Sequence, residues 1–363
     1  MEFLSGTIPR MGGSAGKNHN VRKDTGVNDA ARDGPAGQPA DSESVFDFDE
    51  DFGSAAPRQK QAGSQFAARR RYVLDRLHQY ALLVRLHRPI GILLLLWPTL
   101  WALWIAASGK PDTGILIIFI AGVILTRSAG CAINDYADRD FDPGVERTKE
   151  RPIAAGTVTP VEALGVCVVL ASFALILALQ LNVLTLSFAV AGALLAATYP
   201  FAKRFHYLPQ VHLGLAFSWG IPMAFTAQTG AWPGPIAWLL FLAGVMWAVV
   251  YDTEYAMVDR EDDIRLGIKS SAILFGDMDW VIIGLLQGLV MCALLMVGWQ
   301  AELGPAYFVL VIAAAGVFFH QQQLIRTGHP AACLYAFISN NWFGLMVFIG
   351  IVLSFLLQRT RLF

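Results

Sequence analysis

The sequence is poor in charge. Only 15% of its 363 residues are Asp, Glu, Lys or Arg, against roughly 25% in an ordinary soluble domain. The charges nearly cancel, leaving a net of -1. That argues against a nucleic-acid partner, which would call for a basic face. Cysteine is scarce: Cys131, Cys167, Cys292 and Cys333 are the four present. All lie in or beside apolar segments and none forms a CxxC pair. This argues against a disulfide framework or a thiolate metal cluster and leaves them as packing within helices. From Met1 to about Arg71 there is no apolar core of the about 7–15 residues that a secretory signal needs. The acidic patch Asp47, Asp49, Glu50 and Asp51 equally disfavours a mitochondrial transit peptide, which would be acid-poor. Residues 1–72, rich in Gly, Ala, Ser, Asp and Arg, are expected to form a disordered cytoplasmic tail, and 73–363 the folded domain.

Hydrophobic residues, by contrast, make up 55% of the chain. Nine apolar runs lie near 89–108, 114–137, 162–181, 183–202, 209–229, 235–257, 279–299, 305–323 and 336–357. Each is about 20 residues, enough to cross roughly 30 Å of hydrocarbon as a helix. Lipid demands that every backbone group find its partner internally, and these runs lack the alternation of a barrel strand. The expected fold class is therefore all-α, a polytopic membrane protein of nine transmembrane helices. The turn Leu181-Asn182-Val183 is the tightest junction it requires. Sixteen basic residues fall on the N-terminal side and in the even loops, and three on the other side. The positive-inside rule then places the N-terminus in the cytoplasm and the C-terminus across the membrane, although Arg359 and Arg361 dissent mildly.

Two acidic stretches stand out at the ends of apolar runs. The first is Asn134-Asp135-Tyr136-Ala137-Asp138-Arg139-Asp140-Phe141-Asp142, the second Tyr251 to Asp263. Each contains an Asp-x-x-x-Asp pair, Asp138 with Asp142 and Asp259 with Asp263. Residues at i and i+4 share one helix face, and two carboxylates placed so repel unless a cation sits between them. A single acidic cluster at a helix end reads as a solvated cap. Two matched clusters, both after even-numbered spans and offset by the same 121 residues, do not. The shared offset also hints at an internal four-helix repeat. Hard oxygen ligands point to Mg2+, which takes one or two carboxylates and leaves positions for water and substrate phosphate. Imidazole and thiolate are absent from both stretches, so zinc is disfavoured. Asn134 joins the first pair as a ligand, one turn before Asp138. The metal candidates are thus Asn134, Asp138, Asp142, Asp259 and Asp263.

Other polar residues share these faces. Arg127 and Asp252 lie inside apolar runs, where an ionisable group is costly and is a functional candidate by default. A structural ion pair between them is the competing reading. Arg147, Arg151, Lys203, Arg204 and Lys269 are candidates to clamp a diphosphate, though each also serves as a positive-inside determinant. Lys203 and Arg204 follow Tyr199-Pro200-Phe201-Ala202, a fixed exit from the fourth span. Tyr199 and Tyr255 complete the set of candidate substrate contacts.

At these residues the chain resembles the UbiA-type intramembrane prenyltransferases, and within them the 4-hydroxybenzoate branch. The resemblance rests on Arg88-Pro89-Ile90-Gly91 running into Leu94 to Trp104, and on Gly130-Cys131-Ala132-Ile133 before Asn134. It rests further on Tyr199 to Arg204 with Leu208-Pro209-Gln210 and Trp219 to Phe225, and on Tyr251 to Asp263 continuing through Gly267-Ile268-Lys269-Ser270 to Gly276. It covers about residue 80 to the C-terminus. It implies helices around a central cavity, capped on the cytoplasmic side and open sideways to lipid. It also implies Mg2+-dependent transfer of a polyprenyl chain from polyprenyl diphosphate to 4-hydroxybenzoate, a step of ubiquinone biosynthesis in a bacterial inner membrane. The lipid bilayer is then a partner and nucleic acid is not. Another aromatic acceptor, a haem precursor among them, a magnesium-dependent phosphotransferase, or a transporter of an anionic substrate are the competing readings. The transporter reading is weakened because the acids cluster at one membrane face rather than at the midplane.

Overall fold

The computed structural model describes residues 58–360. Most of the expected tail lies outside them. Its last part, from Arg58, is helical. That helix, α1 (Arg58–Leu83), leads into α2 (Ile90–Ala106) and α3 (Thr113–Ala137). The Asp112 side chain caps α3 by accepting from Ile115 N at 2.9 Å, satisfying one of the amides that a helix start leaves free. A 3-10 turn at Asp142–Gly144 precedes α4 (Pro160–Ala178). Thr159 and Glu162 form a reciprocal capping box there, with Pro160 at the first helical position. The tight junction at 181–183 is real: Asn182 accepts from Thr185 N at 2.8 Å and opens α5 (Val183–Ala202).

The fifth expected run, 209–229, is not one helix. It is α6 (Pro209–Ser218) and α7 (Gly220–Thr229), broken at Trp219. Pro222 supplies the reason: it has no amide to give and its ring collides with the carbonyl four residues earlier, at Ser218. The Trp219 indole spans the break by donating to Phe188 O at 2.7 Å. Next come α8 (Pro235–Ala256), the short α9 (Arg260–Leu266) and α10 (Ser271–Phe275), α11 (Asp279–Gln300), α12 (Pro305–Ile325) and α13 (Pro330–Thr360). The last helix starts six residues ahead of the expected run, because Pro330 begins it.

Every element among the described residues is helical. Seven helices are long and apolar enough to cross a membrane. The other two expected runs are the 17-residue α2 and the α6–α7 pair. The outer faces of α4 and α5 expose Val168, Phe173, Ile176, Val190 and Leu194, apolar surface that needs lipid rather than water against it.

The core is aromatic. Trp101 stacks on Trp247 at 5.1 Å, Trp247 meets Phe343 at 5.4 Å, and Phe343 stacks on Phe318 at 4.1 Å. These contacts tie α2, α8, α12 and α13 together. They require α13 to be bare at Gly344: a Cβ there would lie 2.4 Å from Trp97 Cδ1 and 2.9 Å from Trp247. Trp247 cannot move without disturbing the stack, and Trp97 is held by its bond to Asn341 Oδ1 at 2.9 Å. Gly344→Ala is therefore expected to cost about 1–3 kcal/mol by overpacking, read as a lowered melting temperature of the detergent-solubilised protein. An unchanged midpoint would mean the rings are not fixed.

Candidate active site

Both acidic pairs lie at one end of the bundle, where α3 and α8 stop. The pairs are not on continuous helix faces, as their spacing suggested. Asp138 is the C-terminal cap of α3 and Asp142 opens the 3-10 turn, while Asp259 caps α9 and Asp263 sits in its first turn. Yet each pair is held in one turn by the same backbone bond, Asp142 N to Asp138 O and Asp263 N to Asp259 O, both 2.9 Å. The two sites are thus built alike on different local scaffolds. Asn134, one turn earlier in α3, donates to Asp138 Oδ2 at 2.9 Å.

The basic candidates reach into this cluster. Lys203 Nζ is 2.7 Å from Asp138 Oδ1. Arg151 Nη1 lies 2.9 Å and 3.1 Å from the two oxygens of Asp142. Arg147 donates its Nε to both oxygens of Asp259, at 2.9 Å and 3.1 Å, and also bonds Tyr255 Oη. The loop carrying Arg147 touches the second motif twice more: Glu146 N donates to Asp262 Oδ2 at 3.2 Å, and Gly144 packs against Leu266. One loop therefore couples the two acidic pairs.

Two of the expected clamp residues face elsewhere. Arg204 donates to Ala137 O at 2.5 Å, the exposed carbonyl end of α3, and lies over Phe141 and Phe201. Lys269 donates to Phe205 O at 3.2 Å and lies over Tyr207. Both fasten loops instead of entering the acidic cluster.

Deeper in the bundle, Asp252 makes no ion pair and no side-chain hydrogen bond among the described residues. The Asp252–Arg127 pair of the competing reading is therefore not formed among the described residues. Arg127 is held by packing: its guanidinium lies over the Phe217 ring at 5.6 Å and against Gly91, and Nη1 contacts Cys131 Sγ at 2.9 Å. Its Nε is buried without a partner. The charged neighbours of Asp252 are Arg127, Arg147 and Lys203. Tyr199 packs against the main core and its ring is 6.3 Å from that of His212. The Tyr255 ring lies under Arg147 and 4.7 Å from Phe337.

Three residues of this region went unremarked in the sequence. Asp135 is 1% exposed and bonds Arg85 at 2.6 Å and Arg151 at 3.2 Å. Its signal was present, since it sits inside the Asn134 stretch. Arg85 was counted only as a topology determinant. Glu254, fully buried, takes a bond from Asn340 Nδ2 at 2.8 Å. Only α13 reveals that partnership.

The arrangement suits a hard divalent cation with phosphate. No three His, Cys, Asp or Glu side chains among the described residues converge closely enough to enclose a metal alone, so any cation must take ligands from water or substrate, as magnesium does. Asp138 Oδ1 is buried and lacks a hydrogen-bond donor, the Lys203 ammonium lying off hydrogen-bond geometry despite its closeness. Burial, opposed by Arg151, raises Asp142 above the usual carboxylate range. Burial and then the neighbouring Asp259 push Asp263 up to about 7. Carboxyls held up in this way gain from a cation beside them.

Known proteins carry the same features. The chain is 54% identical over 283 residues to the 4-hydroxybenzoate octaprenyltransferase of Alkalilimnicola ehrlichii, covering 78% of this chain and 96% of that one. The apo structure of a UbiA homolog from Aeropyrum pernix K1 superposes with a TM-score of 0.65 at 26% identity, over 72% of this chain and 97% of that one. A UbiA homolog from Archaeoglobus fulgidus bound to GPP and Mg2+ shares the fold, with a TM-score of 0.57 at 17% identity over 75% and 99% of the two chains. Residues 95–356 match the family of UbiA prenyltransferases along most of the helical bundle, and this multi-pass membrane protein belongs to that family.

Proposed function

We propose that the chain moves a polyprenyl group from polyprenyl diphosphate to the ring carbon ortho to the hydroxyl of 4-hydroxybenzoate, releasing diphosphate, as a step of ubiquinone biosynthesis. The observation that carries this reading is the meeting of two matched Asp-x-x-x-Asp turns with Arg147, Arg151 and Lys203 at one end of an apolar bundle. The octaprenyltransferase relative, matched along 96% of its length, supports both substrates. A transporter would be expected to place such charges near the midplane.

Asn134, Asp138 and Asp142 would hold one magnesium ion, and Asp259 and Asp263 another. The Mg2+ bound to the Archaeoglobus fulgidus homolog agrees with that choice of metal. Bound there, the metal neutralises the charge that develops on the leaving diphosphate. Arg147, Arg151 and Lys203 neutralise the acids in this structure, and with metal on the acids they would be the groups left to hold the diphosphate. Tyr199 and Tyr255 present ring faces to the allylic cation left behind. The apolar walls keep water from quenching it. Arg127, half-buried, with its Nε unpartnered and no carboxylate partner among the described residues, receives the carboxylate of the acceptor. Asp252, free of any ion pair, orients the phenol or takes its proton.

We further place the protein in a bacterial inner membrane, with nine crossings around a central cavity. The α6–α7 pair counts as one crossing. The N-terminus is cytoplasmic and the C-terminus periplasmic. Reporters fused after Gly144 and after Gly267 should then both read cytoplasmic, and one at Phe363 external. Disagreement between the first two would overturn the nine-crossing arrangement.

Membranes containing the protein should join labelled 4-hydroxybenzoate to a prenyl diphosphate, lose that activity in EDTA and regain it with magnesium. Full turnover in chelator would sink the metal assignment. Asp252→Asn should still bind a magnesium–prenyl diphosphate analogue but turn over at least about ten-fold more slowly, the scale of one general acid–base or orienting contact. Normal turnover with a lowered melting temperature would instead mark Asp252 as structural.

A further inference from the structure

Asp135 is the most buried carboxylate of the first acidic stretch and lies outside the Asp138/Asp142 pair. Its Oδ1 is taken by two guanidinium groups, Arg85 Nη2 at 2.6 Å and Arg151 Nη1 at 3.2 Å. Its Oδ2 is buried without a partner. Arg85 adopts a left-handed backbone, φ 59°, which a non-glycine residue rarely takes unless its surroundings hold it there. It sits just after α1, so the contact with Asp135 fixes the turn into α2 against the end of α3. Arg151 is shared: the same Nη1 that meets Asp135 also lies 2.9 Å from Asp142.

Two cations here face two anions, and the set is balanced. That balance changes if Asp142 gives its charge to a metal. A guanidinium whose only acid had been taken would be repelled by the incoming cation and would swing away. Resting on the proposed reaction, the geometry points to Asp135 as a positioning residue. It would retain Arg151 beside the first acidic pair when Asp142 ligates metal, so that the Arg151 guanidinium stays in place to face the diphosphate. Arg85 is the outer brace of the same carboxylate. It is not a contact for the substrate.

The two partners of Asp135 should therefore behave differently. The readout is binding of an unreactive prenyl thiolodiphosphate with magnesium, by calorimetry on the detergent-solubilised full chain. Turnover with 4-hydroxybenzoate is measured beside it. Asp135→Asn is expected to weaken analogue binding about ten-fold or more, the scale of losing a group that orients a ligand. The KM for 4-hydroxybenzoate should be unchanged. Arg85→Gln leaves Asp135 to Arg151 alone, so analogue affinity should stay close to wild type while the melting temperature falls. Should Asp135→Asn fail to fold, Asp135→Glu keeps the charge but moves it by one methylene, and is expected to weaken the analogue several-fold with the same acceptor KM. Undiminished analogue binding in the folded Asp135 variant overturns the inference, as does an equal loss in Arg85→Gln or an equal rise in KM for both substrates. If the wild-type chain neither binds the analogue nor transfers a prenyl group, the reaction itself is wrong, a result distinct from these.

Discussion

Carboxylates withdrawn from water must face cations, and everything at the charged end of this molecule follows from that. Asp135, Asp138 and Asp142 are all buried within one short stretch of chain. Left to themselves they would repel at a cost that no apolar contact nearby could offset. Their partners come from three separate places: Arg85 after α1, Arg151 after α3, and Lys203 at the end of α5, while Arg147, also after α3, meets Asp259. Neutralising the acids therefore draws these segments together with the end of α8. In the proposed reaction a cation of the chain would give way to a metal, and the displaced basic residue would then lie beside the phosphate that comes with it. Structure and proposed chemistry use one set of charges in turn.

Away from that end, burial drives little, because lipid is as apolar as the helix faces. Specific links must then define the packing. Gln322, Gln287, Gln321 and Ser339 form an unbroken line of bonds, each at 2.9 Å, across α11, α12 and α13. Trp247 donates to Asn340, and Asn340 to Glu254, both at 2.8 Å, locking α8 to α13. The indole stack of Trp101 on Trp247 adds geometry that aliphatic side chains would lack. These few polar and aromatic contacts fix the helix register that brings the acidic turns to one place.

Much of this was legible in the residues. Apolar runs located the helices to within a few positions, since each must cover hydrocarbon whatever its neighbours are. Asp138, Asp142, Asp259 and Asp263 stood out by their spacing. What local pattern could not convey was partnership. Arg147 with Asp259 joins residues 112 apart, and nothing near either one names the other. Arg204, favoured by its place after the Tyr199–Ala202 exit, and Lys269, favoured by its charge on that face, donate to the carbonyls of Ala137 and Phe205 in this structure. Asp135 was hidden by its neighbours: in a run of acids, the one that is fully buried looks like the rest. The break at Trp219 was written in Pro222, yet proline in an apolar run can kink a helix or end it, and only the seat offered by Phe188 O decides.

That broken segment bears on how the chain is made. Ten helical residues rise about 15 Å, half the thickness of the hydrocarbon, so neither α6 nor α7 can be delivered across a bilayer alone. Under the proposed nine-crossing arrangement 209–229 would have to enter the bilayer as one apolar segment, and a substitution at Trp219 would remove the bond to Phe188 O that links the bend to α5.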